Sequence, residues 1–216
     1  MSIQAPHLPG DPTMADVIAL LSAFRQSDEQ AGEKLVALFA GLLQQAQYDS
    51  LTGLHRLAYT LTRLHQEISR AQRYGTPLCV AMLDIDHFKQ CNDIYGHVQG
   101  NTVLARVANI VRAELRQSDF AGRFGGDELC LVLPETPLEG AYTVAERIRQ
   151  RIAEAGFHTP SGVTFHMTVS LGLVPWTTDV QDATTLLTRA DAALYRAKST
   201  RNRVVMAPEC VASPNG

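Results

Sequence analysis

Four short stretches of this sequence carry side chains able to work together on a phosphate. The first is Asp84-Ile85-Asp86, which directly follows the apolar run 78–83. A carboxylate that emerges from the end of a buried strand can bind a hard cation through its oxygens. We assign that role to Asp84 and expect Asp86 to cap a helix starting at His87-Phe88-Lys89. The second is Arg123-Phe124-Gly125-Gly126-Asp127-Glu128. Its paired glycines permit positive φ and a close backbone approach to a ligand, and two acids follow at once. If Asp127 and Asp84 lie on neighbouring strands, they can share a divalent metal.

The third stretch, 88–101, holds Lys89, Asn92, His97 and Asn101. Amides donate and accept at once, as recognition of a nucleobase requires, and a lysine can meet phosphate. Taken alone, the stretch also reads as a polar loop between a strand and a helix. The fourth is the basic run Lys198-Ser199-Thr200-Arg201-Asn202-Arg203. Lys198 and Arg201 can contact phosphates; cations also commonly compensate a helix C-terminus.

The elements that must position these groups show in the periodicity. Apolar residues recur at helical spacing over 57–73, 101–116 and 182–198. The run 78–83 is continuous and reads as a central strand buried on both faces. Strands near 119–124 and 128–133 flank Gly125-Gly126, a hairpin signal. Thr136-Pro137-Leu138-Glu139 reads as an N-cap, a proline at the first helical position and a capping-box acid, with the helix stopping at Gly156. From 163 to 173 every odd position is apolar and most even ones are Thr, His or Ser, which predicts one half-buried strand. A short strand follows at 204–206. Ahead of all this, Thr13–Asp16 and Ser27–Gln30 resemble helix caps. Leu35, Val36, Phe39, Leu42, Leu43 and Ala46 form an apolar stripe that needs a partner, either the domain or a second chain. The pattern gives an α/β domain with a mixed sheet backed by helices.

Composition narrows the classes. The 216 residues are 45% hydrophobic and 19% charged, ordinary for a globular chain, and the net charge of −3 argues against a general nucleic-acid or membrane-surface binder. A phosphate ligand must then be held by local cations. No apolar run reaches the length of a membrane span, and 1–13 lacks the basic start and apolar stretch of a signal peptide. Cys79, Cys91, Cys130 and Cys210 show no paired spacing and read as reduced thiols of a cytoplasmic protein.

Taken in register, the motifs resemble the GGDEF family of diguanylate cyclases. Over roughly 49–205 the chain presents Asp49-x-Leu-Thr-Gly-Leu54, Asp84-Ile-Asp-His-Phe-Lys89, Asn92-Asp-x-Tyr-Gly-His97, Arg123-Phe-Gly-Gly-Asp-Glu128, Thr168-Val-Ser-Leu-Gly172 and Ala190-Asp-x-Ala-Leu-Tyr-x-Ala-Lys198 in the family's order. The resemblance implies a nucleotidyl-cyclase-like palm, a mixed and mainly antiparallel sheet flanked by helices. It implies one GTP per subunit, two subunits related by a twofold axis, and cyclic di-GMP as product. By the family pattern, Asp84, Asp127, Glu128 and the Ile85 carbonyl hold two Mg²⁺ or Mn²⁺ ions, and Asp127 is also the proton acceptor. Asn92, His97, Asn101, Gly125 and Gly126 fall at substrate positions, with Lys89, Lys198 and Arg201 near the phosphates. Arg116-Gln-Ser-Asp119 matches the family's inhibitory product site, and Arg147 is expected to join it.

Several departures from the family pattern bear on function. Asn101 stands where the family usually has aspartate, which costs one charge-assisted bond to guanine, roughly 1–3 kcal/mol. A mixed GTP/ATP product is therefore a secondary expectation, and a weak or silent cyclase acting as a cyclic di-GMP receptor is the alternative. Leu129 replaces phenylalanine, Arg56-Leu57 replaces the Asn-Arg usual after the opening motif, and the tail after Lys198 lacks the glycine expected before Arg201. The domain plan is a disordered segment over 1–12, a helical signalling and dimerisation stalk over 13–48 answering to an upstream sensory partner, the GGDEF domain over 49–207 and a flexible tail over 208–216.

Overall fold

The computed structural model describes residues 22, 29–180 and 182–207. The expectations for 1–12, for the caps at 13–16 and 27–28, and for 208–216 with Cys210 lie outside the described residues. Two compact units divide at Tyr48 and Asp49.

In the first unit, α1 (Glu29–Gln47) is a helix of 19 residues. Of its expected apolar stripe, the side chains of Leu42 and Leu43 lie outside the described residues. Val36 and Phe39 are 71% and 48% exposed, whereas Leu38, outside the stripe, is buried.

The second unit is built on a six-stranded sheet. In chain order its elements are β1 (His55–Arg56), α2 (Leu57–Tyr74), β2 (Leu78–Ile85), α3 (Phe88–Tyr95), α4 (His97–Glu114), β3 (Phe120–Arg123), β4 (Glu128–Pro134), α5 (Leu138–Glu154), β5 (Gly156–His158), β6 (Thr164–His166), β7 (Val169–Pro175), α6 (Ala183–Lys198) and β8 (Val204–Met206). The sheet order is β1-β3-β4-β2-β7-β8, and β5 with β6 forms a separate ribbon. The three central pairings, β3/β4, β4/β2 and β2/β7, are antiparallel; the edge pairings β1/β3 and β7/β8 are parallel. This is the mixed, mainly antiparallel sheet expected. No helix among the described residues is long and apolar enough to cross a membrane.

The side chains of β2 alternate between two cores, as strand geometry requires. Cys79, Ala81, Leu83 and Ile85 join Val103, Leu104 and Val107 of α4 and Ala145 and Ile148 of α5. Leu78, Val80 and Met82 join Leu64 and Ile68 of α2 and Leu186, Ala190 and Leu194 of α6. Even-numbered positions of β2 therefore face α2 and α6. Asp84 and Asp86 are even-numbered, so the same pleat carries them to that side at the strand's end.

Four local readings need correction. Residues 88–101 are not a polar loop: α3 and α4 meet at Gly96, which takes φ 81°. Phe88, Cys91 and Tyr95 recur at helical spacing and pack on the core, a signal hidden by the polar residues between them. The single strand predicted over 163–173 is broken at 167–168, so that β6 pairs with β5 and β7 enters the main sheet. Nor is β7 half-buried. Ser170 is fully enclosed. At Gly172 a Cβ would lie 2.1 Å from the Leu194 nitrogen and 2.3 Å from the Ala190 oxygen, so the small residue is there because α6 lies directly on the strand. Finally, α5 starts one residue later than expected. Pro137 is its N-cap without a side-chain cap, and the Thr136 hydroxyl donates to the Pro134 carbonyl instead.

Candidate active site

The ends of β2, β4 and β7 meet at one edge of the sheet. Register sets Asp84 directly opposite Glu128 on β4 and Ser170 on β7. Asp127 immediately precedes β4 and its charge is felt at both Asp84 and Glu128. Lys198, the last residue of α6, reaches back to this edge. Its ammonium touches the Asp84 carboxylate and lies 3.1 Å from Asp86 Oδ1.

Asp84 and Asp86 share a strand end and a face but differ in support. Asp86 is 2% exposed. It accepts the Thr168 hydroxyl at 2.7 Å, the Ser170 hydroxyl at 2.8 Å and the Asn202 backbone N–H at 2.9 Å, besides Lys198. Burial alone would raise its affinity for a proton, but these donors outweigh burial and hold the carboxyl below its usual range. Among the described residues the Asp84 carboxylate has one hydrogen-bonding partner, Lys198. Burial raises it, Lys198 opposes only in part, and Asp127 and Asp86 repel it further, so its carboxyl lies above the usual range. Glu128 is likewise raised, by burial first and then by the charges of Asp84, Asp127 and Asp191. The edge thus holds more negative charge than the protein's own cations neutralise.

The expected cap at Asp86 is not formed. The N-cap of α3 is His87, at φ 57° with no side-chain cap, and Asp86 turns inward to the β7 hydroxyls and the tail. A capping aspartate and a buried anchor look alike in sequence. The donors to Asp86 lie 82 to 116 positions downstream and cannot be seen locally.

The hairpin between β3 and β4 forms as expected, with the Phe124 N–H donating to the Glu128 carbonyl at 2.8 Å. Neither glycine uses the positive φ open to it. Gly125 supplies room instead: a Cβ there would lie 2.6 Å from Glu128 Oε2. Arg123 fixes the turn by donating to the Gly125 carbonyl at 3.1 Å and the Gly126 carbonyl at 2.8 Å, while it pairs with Asp49 at 3.2 Å. Burial would raise Asp49, but Thr52 and Arg123 hold it below its usual range. Both residues sit in recognised motifs, yet nothing in the sequence says that they touch.

Asn92 on α3 lies against Gly100 on α4, where a Cβ would sit 1.8 Å from Asn92 Oδ1. Asn101 is the next residue of α4, exposed, as are His97 and Lys89. Tyr95 stacks on Phe165 of β6 at 4.6 Å, which fixes α3 against the small ribbon. These substrate candidates therefore stand on the α3/α4 pair, while the carboxylates stand at the strand ends. The tail after Lys198 closes without its missing glycine because Arg201 and Asn202 take φ 58° and 45° themselves. The Arg201 N–H bonds the Ala197 carbonyl, and the Asn202 N–H bonds Asp86, which hold the strained turn. The Arg201 side chain remains exposed.

The turn between α4 and β3 carries the other expected site. Asp119 accepts the Arg116 backbone N–H at 3.0 Å, and Arg116 is exposed. Arg147 on α5 is paired with Glu114 at the end of α4 and donates to its carbonyl at 2.8 Å. This sets Arg147 beside the turn, engaged with an acid that the sequence reading did not name.

Oxygen donors on adjoining strand ends, with raised proton affinity and an ammonium lodged among them, are the donor set of a hard divalent cation. Among the described residues no three acids, histidines or cysteines come together closely enough to hold an ion unaided, so remaining ligands would come from backbone, water or substrate. Fold and site thus define an α/β domain with a cluster of carboxylates at the strand ends of its mixed sheet. The family profile for "Diguanylate cyclase, GGDEF domain" matches 46–203, most of the chain, and the protein belongs to that family. It is 43% identical over 165 residues to diguanylate cyclase DgcP of Pseudomonas aeruginosa, covering 76% of this chain and 24% of that one. It is 36% identical over 165 residues to the response regulator PleD of Caulobacter vibrioides, covering 76% and 36%. The chain thus spans about a quarter to a third of these relatives. Among solved structures, the coiled coil and GGDEF domain of Caulobacter crescentus DgcB in complex with c-di-GMP matches with TM-score 0.81 and 30% identity, over 87% of this chain and 99% of that one. Pseudomonas aeruginosa SiaD in complex with its activator SiaC matches with TM-score 0.73 and 34% identity, over 88% and 73%.

Proposed function

We propose that the chain condenses two GTP molecules into cyclic di-GMP and two pyrophosphates across a homodimer. The observation that carries this reading is the pairing of Asp84 with Glu128 across adjoining strands, beside Asp127, at a strand end with uncompensated negative charge. Asp84, Asp127, Glu128 and the Ile85 carbonyl would hold Mg²⁺ or Mn²⁺, two ions per site. Bound there, the ions supply neutralisation of the phosphate charge that builds up during transfer.

The protein's part is positioning. Asn92 and Asn101 read guanine, with His97 beside them, while Lys89, Lys198 and Arg201 meet the phosphates and Gly125-Gly126 leaves space. Asp127 accepts the proton of the 3′-hydroxyl. That oxygen forms a bond to the α-phosphorus of the partner's GTP, the bond to the bridging oxygen breaks, and pyrophosphate leaves. A single site can complete only half of the ring, so turnover requires two facing subunits. The exposed Val36 and Phe39 of α1 support a stalk that brings two chains together under an upstream sensory partner.

Arg116 and Asp119 are proposed to bind the product and restrain turnover, with Arg147 adjacent. An exposed arginine can take phosphate or guanine bidentately. The test is incubation with GTP and Mg²⁺ followed by product analysis, with an equal GTP/ATP mixture to reveal relaxed base choice at Asn101. Cyclic di-GMP formed by the wild type is the expected result. Tight cyclic di-GMP binding without any product would favour the receptor alternative.

A further inference from the structure

Lys198 does something the phosphate role leaves unexplained. Its ammonium sits on Asp84, the carboxylate assigned to the metal, and not out at the mouth of the site. The two anchors of Lys198 differ in what they would lose on its departure. Asp86 keeps three other donors, Thr168, Ser170 and the Asn202 N–H. Asp84 keeps none among the described residues, and would stand beside Asp86, Asp127 and Glu128 with no counter-charge. A lysine is a compact point charge on a flexible stem, suited to exchange places with another cation.

We propose that Lys198 is a built-in counter-ion for Asp84: it holds this carboxylate until a divalent cation takes it, and the ammonium so released is then available to the nucleotide phosphates. Metal and nucleotide therefore load as one coupled event. Each alone must work against the Lys198–Asp84 contact, and together they replace it with two better-matched pairs. The coupling is reciprocal, so nucleotide tightens metal as much as metal tightens nucleotide. This rests on reading Asp84 as a metal ligand.

Mn²⁺ alone, titrated into the full chain and followed by electron paramagnetic resonance, tests it without turnover. Lys198→Gln is expected to bind Mn²⁺ about two- to fivefold more tightly than wild type, the scale of a partly exposed ion pair, and to lose most of the tightening that a non-hydrolysable GTP analogue gives the wild type. Lys198→Arg, which keeps the charge, stays close to wild type. Wild-type protein supplies a second readout. Lys34, Lys89 and Lys198 are the only lysines, so amine-reactive labelling read by mass spectrometry resolves each. Once bound Mn²⁺ is detected, labelling of Lys198 rises severalfold while Lys34 and Lys89 hold steady. Mn²⁺ affinity unchanged in a folded Lys198→Gln, or Lys198 labelling unmoved by bound Mn²⁺, overturns the proposal. Cyclic di-GMP formation is scored separately, so competition without product would count against the cyclase reading and not against this one.

Discussion

The strand-end cluster around Asp84 and the turn that carries Arg116 and Asp119 both assemble charged groups, but on different supports. The cluster stands on three hydrogen-bonded strands, with Asp86 buried and satisfied from β7 and the tail. The turn is an exposed connection in which Asp119 holds the backbone of Arg116 and leaves its guanidinium outside. Rigid support lets carboxylates be crowded together, which costs free energy and prepares a cation site. An exposed turn cannot sustain such crowding, and a ligand that binds there must bring its own complementary charge. The same contrast recurs within the cluster, where Asp86 carries structure and Asp84 is held for exchange.

The sharpest break is expected at Asp127→Ala. With Asp127 in the roles proposed for it, proton acceptor and metal ligand, the rate of cyclic di-GMP formation falls by about a thousandfold, roughly 4 kcal/mol, while the melting curve stays near wild type. Next comes Asp86→Ala, which strands two hydroxyls, a backbone N–H and Lys198. Denaturant unfolding should report a loss of about 3 kcal/mol, a cost borne by the fold rather than by chemistry alone.

Arg116→Ala tests the turn. Inhibition of turnover by added cyclic di-GMP is expected to weaken by at least about tenfold, with stability changed by no more than about 0.5 kcal/mol.

The smallest effect separates the two aspartates by sign. Asp84→Asn removes a charge that the fold holds at a cost, so stability near neutral pH rises by a few tenths of a kcal/mol, whereas Asp86→Asn lowers it. The pH dependence follows the same division. Asp86, held below its usual value of 3.8, contributes stability that is present above that value and is lost as pH falls through its depressed folded one. Asp84 and Glu128, held above theirs, are a cost at neutral pH that protonation relieves as pH falls through their raised folded values. Metal binding moves oppositely, weakening as those groups protonate. A pH series of melts on wild type and both asparagine variants, with calorimetric Mg²⁺ titrations of the wild type, checks all three slopes.

Much of this molecule is legible in its residue pattern, because strands and helices impose periods that side chains must obey. The run 78–83 announced the central strand, Gly125-Gly126 the hairpin, and the apolar repeat over 182–198 the helix that ends at Lys198. The pleat alone put Asp84 at the end of that strand, and six motifs in order gave the family. Other features are long-range and have no local signature. Phe88, Cys91 and Tyr95 became the inner face of α3 only because a core lay beneath them. The strand over 163–173 broke because β5 and β2 compete for its two halves. Asp86 became an anchor rather than a cap because Ser170, Thr168 and Asn202 converge on it from far along the chain, and Lys198 met Asp84 because α6 lies close against Gly172. Sequence by itself settled which groups exist and which secondary elements carry them. Tertiary packing decided which charges face one another, since that depends on distances between elements that no local period encodes.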